Sequence, residues 1–108
     1  MAKFETTITG DFDKTVDELE EKIKGGSISA TMEEWSDFES NGIRCAVRVF
    51  ERYSYLGGNR VSLNLTLFQD ARGYIHISAI TSGGSQALFN KINTFGEEAF
   101  LKKFKELL

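Results

Sequence analysis

The chain has 108 residues, 41% hydrophobic and 27% charged, with net charge −3, ten glycines, one cysteine and no proline, the make-up of one ordinary globular domain built on a single core. A lone cysteine excludes an intramolecular disulfide and fits a reducing compartment; no apolar run approaches the ~20 residues needed to span a bilayer, and Met1 to Gly10 alternates in place of the apolar stretch of a secretion signal, so a cytoplasmic location is expected. A pI near 5.2 argues against nucleic acid as a partner, because such domains carry a strongly basic footprint.

Lys3 to Thr9 alternates, with Phe4, Thr6 and Ile8 on one side, and reads as a half-buried strand. Asp11 is placed to cap a helix whose apolar positions Phe12, Val16, Leu19 and Ile23 recur at helical spacing. Gly25 and Gly26 stop it, with a left-handed closing residue expected there. Ser27 to Met32 alternates again, directing Ile28, Ala30 and Met32 inward, while Glu33 to Ser40 reads equally as more strand or as loop. Asn41 and Gly42 suit a hairpin turn because both tolerate positive φ. In the strand that follows, Ile43, Cys45, Val47 and Val49 are expected to face the core, and Arg44, Ala46, Arg48, Phe50 and Arg52 the solvent. After a turn at Gly57, Gly58 and Asn59, Val61, Leu63, Leu65 and Leu67 form one apolar side of a further strand. Beyond Gln69 to Gly73, Ile75, Ile77 and Ala79 do the same, opposed by Tyr74, His76, Ser78 and Ile80.

Ser85 is placed to cap a short helical segment bearing Leu88, Phe89 and Ile92. Thr94 and Glu97 match a capping box opening a C-terminal helix with Phe95, Ala99, Phe100, Phe104, Leu107 and Leu108 on one side. The order strand, helix, four strands, helix gives one α+β domain over residues 1–108, an antiparallel sheet with its helices on one face.

This order resembles the layout of TATA-box-binding-protein-like and helix-grip domains, in which a curved antiparallel sheet holds a long C-terminal helix. The strings Arg48 to Arg52 (RVFER), Thr81 to Gln86 (TSGGSQ) and Asn93 to Glu98 (NTFGEE) resemble an uncharacterised family of short bacterial proteins, a domain of unknown function covering nearly the whole chain. That resemblance implies a fold and a bacterial source, and no activity or cofactor.

Charge is segregated along the chain. Residues 1–42 carry −7, residues 43–72 carry +3, and all five arginines fall in the second stretch while all eight lysines lie outside it. Arginine's planar fork suits recognition better than lysine's hydrated point charge. Arg44, Arg48 and Arg52, four apart and so ~13 Å apart along a strand, are expected on the outer sheet face with Phe50, Asn64, Phe68 and His76. A solvated face with arginines paired to neighbouring acids is the plain alternative. Arginine, aromatic and hydroxyl groups together are enriched in interfaces, and twofold dimers are the commonest assembly, so self-association through that face as a homodimer is the leading expectation. A small-ligand carrier, with a cavity between the sheet and the C-terminal helix lined by Trp35, Phe38, Phe89, Phe95, Phe100 and Phe104, is the alternative.

Ser82, Gly83, Gly84 and Ser85 form a second candidate, a loop whose amides suit a small anion, although it lacks the lysine and frame of a nucleotide P-loop. One histidine and one cysteine exclude the usual zinc ligand sets within a chain. With Cys45 inward and His76 outward, a thiol–imidazole dyad is excluded too. No catalytic constellation is visible, and a protein that works by binding, without cofactor or metal, is expected.

Overall fold

In a computed structural model the described residues form, in order, β1 (Ala2–Ile8), α1 (Phe12–Lys24), β2 (Thr31–Ser40), β3 (Ile43–Ser54), β4 (Asn59–Gln69) and β5 (Ile75–Gly83). It describes residues 1–25, 30–54, 59–83, 101–102, 104–106 and 108. The expected short helical segment, the capping box at Thr94 and most of the C-terminal helix lie outside the described residues; Leu101, Lys102, Phe104 and Lys105 are helical. The fold is α+β, an open antiparallel sheet in the order β1-β5-β4-β3-β2.

Strands β2 to β5 form a meander because their connections are short. The β2–β3 turn uses Asn41 at φ 51° and Gly42 at φ 81°, the paired positive values whose twist suits a two-residue hairpin. Strand β1 completes the sheet against β5, from Ala2 opposite Thr81 to Ile8 opposite Ile75. As β1 and β2 are opposite edges, α1 carries the chain across the width of one face.

The helix begins where Asp11 accepts a hydrogen bond from the Lys14 amide at 2.8 Å, satisfying a donor that the first turn leaves open. Phe12, Val16, Leu19 and Ile23 are all buried against the sheet, each such burial contributing about 1.5–3 kcal/mol. Its end departs from the expected left-handed closure: Gly25 is extended, at φ −111° and ψ −170°, and its amide still donates to the Glu21 carbonyl.

Leu63, Leu65, Leu67, Ile75, Ile77 and Ala79 lie beneath the helix, fully or almost fully buried, in the phase their alternation predicts. Leu101 and Phe104 join the same core, and the Lys105 ammonium lies 5.0 Å from the centroid of the Phe4 ring. Glu33 to Ser40 proves to be strand, continuous with Thr31 and Met32 through a register shift between Met32 and Glu34.

Strand β3 is phased opposite to expectation. Pairing with β4 sets Phe50 across from Leu63, Arg48 from Leu65 and Ala46 from Leu67, on the side that α1 covers. Phe50 is 0% and Ala46 1% exposed, and Arg48 only 7%, whereas Cys45, Val47 and Val49 are half-buried on the uncovered side. The covered face accepts guanidinium groups because α1 and β2 bring acids to meet them, and because arginine's hydrocarbon stem packs as apolar surface.

Candidate functional site

With β3 turned over, Arg44, Arg48, Phe50 and Arg52 leave the proposed outer surface for the opposite face of the sheet, where Arg44 and Arg48 join elements. Arg44 Nη2 lies 2.5 Å from Asp13 Oδ1 of α1 and its Nε 3.4 Å from Glu39 of β2, with its guanidinium 4.7 Å from the centroid of the Phe12 ring. Arg48 pairs with Glu20 of α1, donates from Nη1 to Asp37 Oδ1 at 2.8 Å, and lies 5.6 Å from the Trp35 ring. Burial opposes the charged form of Arg48, but the hydrogen bonds to Asp37 and Glu20 outweigh it and hold the group above its ordinary range. The Arg44 hydrogen bond likewise holds the Asp13 carboxyl below its usual value. These contacts fasten α1 to the sheet.

The uncovered face is organised by register. One row across the strands reads Phe38, Cys45, Phe68, His76 and Thr7; the next reads Ser36, Val47, Thr66, Ser78 and Glu5; a third reads Glu34, Val49, Asn64, Ile80 and Lys3. At about 4.8 Å per strand each row spans ~19 Å. The β2–β3 half carries an apolar run beside Ser36 and Glu34, with Phe38 66%, Tyr53 57% and Ile43 37% exposed, and Phe68, 41% exposed, borders it. A hollow of about 270 Å³ lies beside Phe38, Ile43 and Cys45. The β1–β5 half is rich in hydroxyl groups. Of the expected outer-face residues, Asn64, Phe68 and His76 are here.

His76 is the centre of a hydrogen-bonded chain. Its Nδ1 lies 3.0 Å from Thr7 Oγ1 and its Nε2 2.9 Å from Asp70 Oδ2. Asp70 opens the β4–β5 turn, and its Oδ1 accepts from the amides of Arg72 at 2.9 Å and Tyr74 at 3.2 Å; Gly73, at φ 92°, supplies the positive dihedral that folds this turn. The His76 hydrogen bond holds the Asp70 carboxyl below its ordinary value; partial burial opposes this, and the two amides assist it. An ionised carboxylate only accepts, so Nε2 carries the ring proton of neutral His76, Nδ1 is the acceptor, and Thr7 donates to it. The Phe68 ring, 6.0 Å away and tilted by 31°, flanks the imidazole. A hollow of about 400 Å³ opens over this chain, lined by Glu5, Thr7, Thr66, Phe68, His76 and Ser78 among others.

Cys45 and His76 share the uncovered face, contrary to the expected opposition. Phe68 stands between them in the row, so two strand spacings, ~10 Å, keep them from forming a dyad. Ser82 and Gly83 are not loop residues: β5 runs through both, opposite Ser62 and Val61, and Ser82 Oγ lies 2.8 Å from Ser62 Oγ. Gly84 and Ser85 lie outside the described residues, as do Phe89, Phe95 and Phe100 of the expected cavity; Trp35 and Phe38 are exposed rather than lining one. Among the described residues no three His, Cys, Asp or Glu side chains are grouped to hold a metal ion, and no helix is long and apolar enough to cross a membrane.

Sequence reasoning missed Thr7 and Asp70. Asp70 carried a faint signal, an acid opening a tight turn six residues before the only histidine. Thr7 carried none, because its partner is 69 residues away and only the β1–β5 register unites them.

The chain belongs to a family of unknown function, DUF6054, which matches it over residues 1–108. No curated protein and no solved structure matches it.

Proposed function

We propose that the protein is an interaction domain that binds a second copy of itself through the β2–β3 half of its uncovered face. The observation that carries this reading is the run of exposed Phe38, Ile43 and Tyr53 around half-buried Cys45, Val47 and Val49, over which no described element lies. Apolar surface of this kind, rimmed by polar groups, marks a protein contact.

The edge of β2 is the competing contact, and its composition opposes it. Glu33, Glu34, Asp37 and Glu39 put four carboxylates on one edge strand, and the register shift beside Glu34 disturbs its free backbone, both devices that discourage strand-to-strand pairing. Face-to-face association leaves Asp37 and Glu39, paired with Arg48 and Arg44 on the covered side, outside the contact. In this half the protein works by binding alone. The reading includes a cytoplasmic setting, supported by a single thiol, and a helix-grip-like arrangement, supported by the burial of Phe104 in the same core as α1.

Light scattering coupled to size exclusion tests the proposal at high micromolar concentration. The parent is expected to run as a dimer and Phe38→Glu/Val47→Glu as a monomer with an unchanged far-ultraviolet spectrum. A monomeric parent, or a variant dimer as tight as the parent's, overturns it.

A further inference from the structure

We propose that Thr7 is a nucleophile for acyl transfer, with His76 as its general base and Asp70 as the residue that orients the base, and that the hollow above them accepts a small activated carboxylic ester. This does not rest on self-association, which uses the opposite half of the face.

The geometry meets the requirement for an activated hydroxyl group: nucleophile and base in hydrogen-bond contact, with the base held by a third group on its far side. Thr7 Oγ1 and His76 Nδ1 are 3.0 Å apart, and His76 Nε2 is fixed at 2.9 Å by Asp70. Asp70 is itself held by two backbone amides, so the tautomer that leaves Nδ1 free to take a proton is built into the turn. Thr7 is exposed on edge strand β1, and its oxygen borders a hollow with room for a small substrate. Ser78 lines the same hollow, and its hydroxyl group has no partner among the described residues, which leaves it able to donate to an oxyanion. Thr66 is less suited, because its hydroxyl group already donates to Asn64 Oδ1 at 3.1 Å. Among the described residues no lysine or arginine lines the hollow, so the acyl group expected is uncharged.

In the reaction, Thr7 Oγ1 bonds to the carbonyl carbon as its proton passes to His76 Nδ1, and Asp70 stabilises the resulting imidazolium. The bond from the carbonyl carbon to the leaving oxygen breaks, and that oxygen takes the proton from His76. The products are O-acyl-Thr7 and an alcohol. Water then attacks the acyl carbon, gives one proton to His76 Nδ1 and releases the carboxylic acid as Thr7 recovers its hydrogen.

The probe is p-nitrophenyl acetate, with release of p-nitrophenol and peptide mass mapping as readouts. One acetyl group is expected on Thr7, removed by alkaline hydroxylamine as an oxyester is and as lysine amides are not. Thr7→Val abolishes this label and Thr7→Ser keeps it. His76→Gln slows it by ~10²-fold or more, the usual contribution of a positioned base. Asp70→Asn both slows it and alters its pH profile, since an amide can donate to Nε2 and reverse the tautomer. Parent protein that neither carries an ester on Thr7 nor releases p-nitrophenol faster than Thr7→Val, or labelling and release equally fast in folded His76→Gln, overturns the proposal; an unchanged pH profile in Asp70→Asn overturns the part given to Asp70.

Discussion

Arg48 and His76 each stand on a strand between two partners from outside it, and they differ in where the polar chain ends. Arg48, 7% exposed, meets carboxylates of α1 and β2, and its charge is answered inside the protein. The His76 side chain is 46% exposed, and its chain ends at a hydroxyl group bordering a hollow. On the covered face polar chemistry is spent on cohesion. On the uncovered face a similar three-part arrangement is left available to something outside the molecule.

Substitutions on each side sharpen this contrast. The largest expected effect is from Arg48→Met, which strands Glu20 (18% exposed) without its partner and lowers stability by about 3–5 kcal/mol in urea titration. Adding Glu20→Leu should recover part of that loss, and no recovery would mean that the pair does not act as a unit. Asp11→Ala removes the helix cap and is expected to lower stability by about 1 kcal/mol, a test of how far α1 depends on its own start rather than on the arginines beneath it. On the other face, His76→Gln is expected to stay within about 0.5 kcal/mol of the parent; a loss as large as that of Arg48→Met would erase the difference between the faces.

The smallest effect is one of pH. Asp70 has its carboxyl lowered from 3.8, so its pairing stabilises the fold above that value and is lost as pH falls from 3.8 through the lower folded-state value. Thermal melts in acid should therefore decline less steeply for Asp70→Asn than for the parent. Equal slopes would show that the Asp70–His76 contact has no bearing on acid stability.

Strands β4 and β5 and helix α1 were legible because their apolar spacing has one solution each. Strand β3 has two, and a comparison of Val, Ile and Cys against Arg selects the wrong one. The opposing signals were present: Phe50 and Ala46 share the arginine phase, and Asp13 and Glu20 stand seven apart in α1, ~10.5 Å along a helix, close to the ~13 Å between Arg44 and Arg48 on a strand. Edge strand β2 hid its nature because almost all its residues are exposed, which removes the alternation that reveals other strands. The Thr7–His76–Asp70 chain was illegible for a different reason, since it depends on which strands are neighbours.

The pairing of β1 with β5 also bears on how the chain folds. The meander closes through short turns, whereas Ala2 must find Thr81, and the entropy of closing so long a loop makes β1 the last strand to join. The amides of β1 should then exchange with deuterium ahead of those of β4, and the contact between Thr7 and His76 becomes a marker of the final step in refolding.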